Sequence, residues 1–440
     1  MERKKLVKQY NLCVVGAGHV GLVAAACFAD LGHKVICVDN NQKRIAGLKK
    51  SIMPFYEPDM EELVKKTYKN GYLCFSTSLE EGIKKSQVIF IAVGTPPLPD
   101  GSADLTAIEN VAMCVAKNLD SYKIIVEKST VPVQTGVKIK ETIRRYKKTD
   151  VDFDVVSNPE FLREGKAVYD FFFPDRLVIG ADTPRAQQMV KEIYSPIKTE
   201  FVLTDVNTAE LIKHASNSFL ATKISFINAV SRVCDLAGAD VEKVALAMGL
   251  DKRIGGQFLN AGIGYGGFCF PKDVEAFTYI SNKLGYDFGI LKEVKKVNDG
   301  QRRHFVEKIK ENLWVLKGKK VAVLGLAFKP DTDDMRFAPS EDIVNFFINE
   351  GAHVTAYDPK AKREALELFK GKKLNFAKDA YSAAKDADCL CMLTEWDEFK
   401  KLDFVKVKKL MKHALVADGR NMLDKAVMLK LGYEYIGMGR

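Results

Sequence analysis

One stretch near the start of the chain, residues 11–39, limits the fold more than any other. An apolar run is followed by Gly16, Gly18 and Gly21, then by an alanine-rich segment and a second apolar run that ends at Asp39. A buried strand, a tight glycine turn, a helix and a second strand in that order are typical of the first βαβ unit of a Rossmann fold. We therefore predict an α/β protein that begins with a nucleotide-binding domain.

The glycine spacing and the following acid indicate which nucleotide the turn holds. Glycines in this pattern allow a tight turn and the close approach of a pyrophosphate to the helix N-terminus. Asp39 lies 18 residues after the last glycine, where an acid hydrogen-bonds a ribose 2′-hydroxyl. A carboxylate there repels a 2′-phosphate, so NAD is favoured over NADP, although Arg44 argues weakly the other way. The cofactor residues predicted from this unit are Gly16, Gly18, Val20, Gly21, Asp39 and Arg44.

Two further strand-like segments end in small polar residues. Residues 88–97 contain Gly94–Thr95, and residues 123–132 contain Ser129–Thr130. Because ligands bind at the carboxyl ends of strands in an open parallel sheet, we expect both turns to border the cofactor. The structural alternative is that either pair starts a capped helix.

A later stretch, residues 318–359, repeats the opening pattern with one difference. It has an apolar run at 320–324, a turn at Gly325, a helical segment near 339–350 and another run at 353–357. The third glycine is missing and a longer polar loop replaces the tight turn. We predict a second Rossmann-like domain whose ligand is not held in the way that NAD is held.

A long helix is predicted between these two patterns. Residues 205–238 contain no proline or internal glycine, and their apolar residues recur at helical spacing. A helix of about 30 residues is long for a globular protein, so we expect it to join the two domains and to carry a dimer interface. Lys213 and Asn217 share one face of it, either as functional residues or as part of a solvated stripe.

The predicted fold class is therefore α/β, with two Rossmann-like doubly wound parallel-sheet domains joined by a long central helix. The expected boundaries are 1–204 for the NAD-binding domain, 205–305 for a central helical and dimerisation region, and 306–440 for the second domain.

Composition excludes several other classes. The net charge is +10, but the lysines are spread along the chain and no nucleic-acid motif is present, so no nucleic-acid partner is expected. No apolar run approaches the roughly 18 residues that a membrane span needs. The start, MERKKLVKQY, lacks the pattern of a secretory signal, which favours the cytoplasm. The nine cysteines include no C-x-x-C pair, so we expect no disulfide framework and no metal site.

Cys269 differs from the other cysteines because it lies among glycines and charges. The segment GYGGFCFPKD, residues 264–273 and hereafter the Cys loop, leaves it reachable, whereas most of the others lie in apolar runs. The Cys loop, SNPEFLREG (157–165), EKSTVP (127–132) and AELIKHASNSFLATKISFIN (209–228) resemble the UDP-glucose/GDP-mannose dehydrogenases. The resemblance runs from the first strand to Arg420.

Within that family, the sequence is most similar to the branch that oxidises UDP-glucose. The segments FLREGKAVYDFFFPDRLVIG and YEPDMEELV carry this likeness. The chain departs from the branch at three positions: Phe268 replaces a usual serine, Asp59 a usual glycine and Phe337 a usual acid. Phe268 adjoins the cysteine, so this departure bears on local rate or sugar preference more than on reaction type.

The resemblance implies a four-electron oxidation of the sugar C6 to a carboxylate, with two NAD consumed per UDP-glucuronate. Cys269 would add to the aldehyde as a thiolate, giving a thiohemiacetal and then a thioester that water hydrolyses. The implied catalytic residues are Cys269, Lys213 and Asn217 at the oxyanion, Asp273 as base through water, and Glu160 and Thr130 at the hydrolysis step.

The resemblance also implies binding residues for UDP-glucose and for the cofactor. Further cofactor contacts are expected from Gly94, Thr95, Ser129, Thr130, Glu164, Lys272 and Arg336. The expected substrate contacts are Phe161, Leu162, Arg163, Glu164, Lys213, Asn217, Arg253, Phe258, Asn260, Gly262, Tyr265, Gly266, Phe328, Lys329 and Arg420. Arg253 would reach the substrate of a neighbouring subunit, so a homodimer or a higher homo-oligomer is expected.

Several alternatives remain open at this point. The substrate could be another nucleotide sugar, such as GDP-mannose or a UDP-N-acetylaminosugar, or the chain could bind a nucleotide sugar without catalysis. A two-electron dehydrogenase of the β-hydroxyacid type shares the architecture but needs no cysteine. Asp273 could cap a helix that begins near Val274, and Glu160 could cap the segment that follows it.

Overall fold

A computed structural model of the chain describes residues 8–440. The expectation about a secretory signal rests on the first ten residues, of which 1–7 lie outside the described residues. The chain forms two compact units: the first contains the residues up to Ser216 and Tyr279–Leu284, and the second contains Asn217–Thr278 and Gly285–Arg440. Within the described part, no helix is both long and apolar enough to cross a membrane.

The first unit is built on a mostly parallel sheet. Its strands are β1 Asn11–Val15, β2 Lys34–Val38, β3 Leu73–Ser76, β4 Val88–Ile91, β5 Lys123–Glu127, β6 Phe153–Ser157, β7 Arg176–Ala181 and β8 Glu200–Thr204. They lie in the order β3-β2-β1-β4-β5-β6-β7-β8. The first six strands have the Rossmann order, in which the chain leaves β1 in one direction and continues from β4 in the other. The predicted doubly wound fold is confirmed here.

Helices cover both faces of this sheet, which explains why its central strands are apolar throughout. The helices are α1 His19–Asp30, α2 Gln42–Lys49, α3 Met60–Lys69, α4 Leu79–Lys84, α5 Thr106–Lys117, α6 Thr135–Tyr146, α7 Ala167–Phe172 and α8 Pro184–Ile193. Two buried apolar cores form, one containing Leu12, Phe28 and Phe90, and the other containing Ile89 and Ile125.

The second unit contains a second sheet of the same design. Its strands are β9 Lys320–Leu324, β10 His353–Tyr357, β11 Leu374–Phe376, β12 Cys389–Met392, β13 Leu415–Asp418 and β14 Glu434–Ile436, in the order β11-β10-β9-β12-β13-β14. The helices that follow β9 are α13 Pro339–Asn349, α14 Lys362–Leu368, α15 Ala380–Ala384, α16 Asp397–Lys400, α17 Phe404–Leu410 and α18 Lys425–Lys430. The repeat of the Rossmann order confirms the second predicted domain.

The central helices connect these sheets along the chain. They are α9 Val206–Ala237, α10 Val241–Leu250, α11 Cys269–Lys283 and α12 Gly289–Leu313. Helix α9 has 32 residues, as predicted from 205–238, and the boundary between the two units falls within it, after Ser216.

Three local features differ from the sequence-based expectations. Strand β7 pairs antiparallel to β6 through only two residue pairs, so the first sheet is not parallel throughout. Strands β4 and β5 end at Ile91 and Glu127, before the polar turns that were predicted with them. Helix α11 begins at Cys269, not near Val274, which puts the cysteine in the first turn of a helix.

Candidate active site

The glycine turn after β1 combines two tight contacts with one open position. A Cβ at Gly16 would lie 2.4 Å from the carbonyl oxygen of Ala92, and Gly16 has a φ of +106° that favours glycine. A Cβ at Gly21 would lie 1.9 Å from the carbonyl oxygen of Gly16, whereas one at Gly18 would meet no atom within 4 Å. The first and third glycines are therefore required by packing, and the second leaves space beside the N-terminus of α1, where a pyrophosphate fits.

Asp39 lies directly after β2 and is tied to this turn. Its Oδ2 accepts a hydrogen bond from the Ala17 N–H at 2.8 Å and from the Arg44 guanidinium at 2.9 Å. Arg44 therefore forms an ion pair with the acid at the predicted ribose position. A carboxylate has about four acceptor positions, so these bonds leave capacity for a hydroxyl.

The two polar turns after β4 and β5 are hydrogen-bonded to each other. The Thr95 hydroxyl donates to the Thr130 carbonyl oxygen at 2.9 Å, and the Ser129 hydroxyl donates to the Val93 carbonyl oxygen at 2.8 Å. The following helices begin only at Thr106 and Thr135, so neither pair is a helix cap and that alternative is wrong. Gly94, the neighbour of Thr95 in the turn after β4, is exposed.

A buried ion pair joins the segment after β6 to helix α9. The Lys213 ammonium lies 3.1 Å from Glu160 Oε1, and the two residues are only 4% and 6% exposed. Lys213 also lies 5.2 Å from the ring centre of Phe161, whose other close cation is Arg176 at 3.7 Å. The solvated-stripe alternative for Lys213 is therefore wrong, because a lysine this deeply buried needs a charge partner.

Glu160 also organises its own segment. Its Oε2 accepts a hydrogen bond from the Leu162 N–H at 2.6 Å, but the next helix begins only at Ala167, so Glu160 does not cap a helix. Farther along, Arg163 pairs with Asp170 at 2.6 Å. Glu164 is half-buried. The N–H groups of Gly165 and Ala167, which follow it in the chain, donate to the carboxylate of the buried Glu57.

In the second unit, Asp273 lies at the centre of a buried polar cluster. Asn217 Nδ2 donates to its Oδ2 at 2.6 Å, and the Lys272 ammonium lies 2.5 Å from its Oδ1. Asp273 is fully buried and lies within the second turn of α11, so the cap alternative is wrong. Cys269 begins the same helix and is half-buried. A helix N-terminus stabilises the thiolate form of a cysteine, which is the nucleophilic form.

Two asparagines that sequence reasoning missed hold the chain just before the cysteine. Asn228 Oδ1 accepts from the Gly262 N–H at 2.9 Å, and Asn298 forms two hydrogen bonds with the backbone of Tyr265, at 2.8 and 3.1 Å. Both asparagines are buried. No local sequence pattern indicates either asparagine, because only its burial makes its hydrogen bonds necessary.

Phe268, the departure beside the cysteine, stacks against a predicted cofactor residue. The Arg336 guanidinium lies 4.3 Å from the Phe268 ring centre, and the Lys272 ammonium lies at 5.6 Å. The Gly267 N–H donates to the Arg336 carbonyl oxygen at 3.0 Å, and Gly266 is so close to the Phe337 carbonyl oxygen that a Cβ would lie 2.4 Å from it. The Cys loop is thus packed on the segment that contains Arg336.

Arg420 links three backbone segments of the second unit. Its guanidinium donates to the carbonyl oxygens of Leu393 at 2.8 Å, Gly264 at 2.9 Å and Phe328 at 3.1 Å. The Phe328 ring packs on Gly267, and Lys329 lies 5.3 Å from that ring. Arg420 therefore joins the Cys loop to the segment that follows β9.

Two other predicted substrate residues are exposed, and a third packs beside the Cys loop. Arg253 is exposed and pairs with Asp251 at 2.5 Å, Asn260 is exposed, and the half-buried Phe258 has a φ of +64°. The Phe258 ring centre lies 6.3 Å from that of Phe270, the residue that follows Cys269.

Comparison with known proteins identifies the chain by family. Three models of the UDP-glucose/GDP-mannose dehydrogenase family match it: the NAD binding domain over residues 10–198, the central domain over 207–300 and the UDP binding domain over 322–425. It is 44% identical to UDP-glucose 6-dehydrogenase TuaD of Bacillus subtilis, over 98% of this chain and 93% of that protein.

Two more similarities extend over nearly full length. A UDP-glucose 6-dehydrogenase of Rhizobium meliloti is 44% identical over 98% of this chain and 99% of that protein. The solved structure of a UDP-glucose dehydrogenase from the archaeon Pyrobaculum islandicum has a TM-score of 0.93 at 37% identity and covers 100% of both chains.

The glycine turn gives a prediction that separates stability from cofactor binding. Gly18→Ala should change the free energy of unfolding by no more than about 0.5 kcal/mol, since its Cβ meets no protein atom, but it should weaken NAD binding at least tenfold. Gly21→Ala should lower stability by about 1–3 kcal/mol because its Cβ overlaps a backbone oxygen. Denaturant unfolding and NAD titration of both variants measure this. Equal NAD affinity in Gly18→Ala and the wild type would contradict it.

Proposed function

Since the chain belongs to the UDP-glucose/GDP-mannose dehydrogenase family, we propose that it oxidises UDP-glucose at C6 to UDP-glucuronate, by way of a Cys269 thiohemiacetal and thioester. The observation that carries the proposal is the position of Cys269 at the start of α11, four residues before the buried Asp273 and its partners Lys272 and Asn217. The relatives reported above, all named as UDP-glucose dehydrogenases, support this substrate.

NAD accepts a hydride at each of the two oxidation steps when it is bound. The residues of the first unit fit such a ligand, because the open side of Gly18 leaves room for a pyrophosphate beside α1. Asp39, already paired with Arg44, has acceptor capacity left for a ribose hydroxyl. Thr95, Ser129 and the neighbouring Gly94 and Thr130 would line the cofactor at the strand ends.

The first oxidation requires a base and an oxyanion site. As the C6 hydroxyl loses its proton and the C6 carbon loses a hydride, Lys213 and Asn217, one turn apart on α9, stabilise the oxygen, and Asp273 accepts the proton through water. A preorganised donor of this kind is typically worth about 2.7–4 kcal/mol of barrier.

The second oxidation depends on Cys269. Its thiolate adds to the aldehyde carbon, so the aldehyde stays covalently bound, and loss of the second hydride gives a thioester. Water then attacks the thioester carbonyl carbon with Glu160 as the proton acceptor and Thr130 holding the water. The carbon–sulfur bond breaks, and Cys269 is regenerated as the thiolate.

The UDP-sugar contacts are proposed for the second unit and for the segment after β6. Phe328, Lys329 and the backbone of 258–267 would hold the nucleotide, with Arg420 fixing the Cys loop against Phe328. The segment from Phe161 to Glu164 would contact the sugar, and Lys272 and Arg336 the cofactor. The matched family segments support the division into 1–204, 205–305 and 306–440.

We also propose that the protein forms a homodimer through α9 and α10, with Arg253 reaching the partner's substrate. Phe219, Phe226 and Val233 follow one another at intervals of seven residues along α9 and are 54–65% exposed. On α10, Leu246 and Leu250 are 65% and 76% exposed. An apolar stripe on two neighbouring elements, in a helix already expected to carry the interface, favours a second copy of this chain as the occupant.

Counting NADH tests the chemistry. The wild type should release two NADH per UDP-glucose consumed, because both oxidations occur before product leaves. Cys269→Ser should lower steady-state NADH production by at least about 1,000-fold, since an alcohol is a far weaker nucleophile than a thiolate.

The matched control for that variant is Cys74→Ser, at an exposed cysteine on β3, which should keep wild-type activity. One NADH per sugar, or an active Cys269→Ser, would exclude the thioester route. NADH formation from GDP-mannose or a UDP-N-acetylaminosugar but not from UDP-glucose would reassign the substrate.

The dimer proposal gives a prediction of mass in solution. Phe226→Glu places a charge on the exposed stripe and should convert the dimer to a monomer at micromolar concentration. Phe173→Glu, at a similarly exposed phenylalanine of the first unit, should leave the dimer intact. Sedimentation equilibrium measures both, and a wild type that is monomeric at every concentration would refute the interface.

A further inference from the structure

Lys128 is a buried lysine that the mechanism above does not use. It follows β5 directly and is 3% exposed. Its ammonium donates to Asn158 Oδ1 at 3.2 Å, to the Tyr194 hydroxyl at 3.2 Å and to the Asn158 carbonyl oxygen at 3.4 Å. Asn158 lies two residues before Glu160, so Lys128 is attached to the segment that carries this carboxylate.

Asn158, to which Lys128 is attached, is held by three further hydrogen bonds. The Tyr194 hydroxyl donates to Asn158 Oδ1 at 2.7 Å, and Asn158 Nδ2 donates to the Val178 carbonyl oxygen on β7 at 2.8 Å. The Asn158 N–H donates to the Glu127 carbonyl oxygen at 2.8 Å. Lys128 therefore contacts a residue, Asn158, that these hydrogen bonds hold in place. Only Pro159 separates Asn158 from Glu160, so the same contacts restrict the backbone of Glu160.

Three charged residues, Glu160, Glu127 and Lys213, influence the pKa of Lys128. Burial lowers the pKa of Lys128 to about 8, and the nearby Glu160 and Glu127 oppose that change, while Lys213 adds to it. Burial raises the pKa of Glu127 well above its usual range and Glu210 raises it further, whereas Ser157 and Lys128 oppose that change. Together with the Tyr194 hydroxyl, these are the titratable groups that face Lys128.

The ammonium of Lys128 and the carboxylate of Glu160 are both buried in the first unit, and Glu160 is the largest charge that raises the pKa of Lys128. Lys213 pairs directly with Glu160 on one side, and Lys128 supplies a second positive charge through the Asn158 segment. A buried carboxylate keeps its ionised form only where such charges and hydrogen bonds surround it.

We propose that Lys128 is a positioning residue for Glu160: it anchors the Asn158–Glu160 segment and places a positive charge near the carboxylate that accepts the proton in thioester hydrolysis. This inference rests on the proposed function. In the hydrolysis step, a water oxygen bonds to the thioester carbon, its proton passes to Glu160, and the electron pair of the carbon–sulfur bond returns to the Cys269 thiolate. Only the ionised form of Glu160 can accept that proton.

The test is the pH profile of NADH formation from saturating UDP-glucose and NAD. Lys128→Met removes the charge and should move the acidic limb of the profile upward by about one pH unit, so that the rate on that limb falls about tenfold. Lys128→Arg keeps a positive charge and should return the limb to within a few tenths of a unit of wild type. A purely structural role would lower the rate equally at every pH.

The matched control is Lys123→Met. Lys123 is another buried lysine, 1% exposed, at the first residue of β5 and so at the opposite end of the strand from Lys128, and it donates to the Ser86 carbonyl oxygen at 3.0 Å. This variant should lose stability without moving the acidic limb. If Lys128→Met does not fold, Lys128→Gln, which keeps a donor but no charge, takes its place in the test.

The outcomes separate the two proposals. A wild type that forms no NADH from UDP-glucose would refute the proposed function. An active wild type, with the acidic limb unmoved in Lys128→Met or Lys128→Gln, would refute the role of Lys128 alone.

Discussion

A charge removed from water must be paired, and each of the two units contains a buried group of proposed catalytic residues that meets this requirement. Moving an ion into the protein interior costs several kcal/mol even after relaxation, and removing one partner of a buried pair typically costs about 3–5 kcal/mol. In the first unit, Lys213 and Glu160 meet this requirement for each other. In the second unit, Asp273 is satisfied by Lys272 and Asn217. Within each unit, these pairs hold the proposed catalytic side chains by direct contacts.

Helix α9 is the element that supplies a member of each pair. It contributes Lys213 to the first unit and Asn217 to the second, one turn apart on the same helix. An uninterrupted helix of 32 residues gives both side chains a fixed separation along its axis. The absence of proline and glycine from this helix allows it to continue unbroken through both positions.

The Rossmann units could be predicted closely because local patterns specify them. The first apolar run was expected at 11–15 and β1 spans Asn11–Val15, since a buried strand bounded by a glycine turn has little freedom in its ends. The same holds for β9 and β10. The antiparallel pairing of β7 was not predictable, because strand direction depends on how the chain returns after α7 and not on the composition of either strand.

Within the site, the sequence indicated residue types but not partners. Cys269 and Asp273 stand out by their neighbours, and the family resemblance implied their roles. The pairing of Asp273 with Asn217 joins residues 56 positions apart, and that of Glu160 with Lys213 joins residues 53 apart, so no local pattern encodes them. Lys128, Asn228 and Asn298 were missed for the same reason: each is notable only because it is buried, and burial is a property of the folded chain.

The central claim of the proposed mechanism is a covalent bond between the sugar and the sulfur of Cys269. Glu160→Gln should slow thioester hydrolysis, so mixtures quenched during turnover should contain a Cys269 peptide whose mass is raised by one UDP-glucuronosyl acyl group. The sulfur should be unmodified when NAD is omitted. A Cys269 peptide that stays unmodified at every time point, while UDP-glucuronate forms, would contradict catalysis through this cysteine.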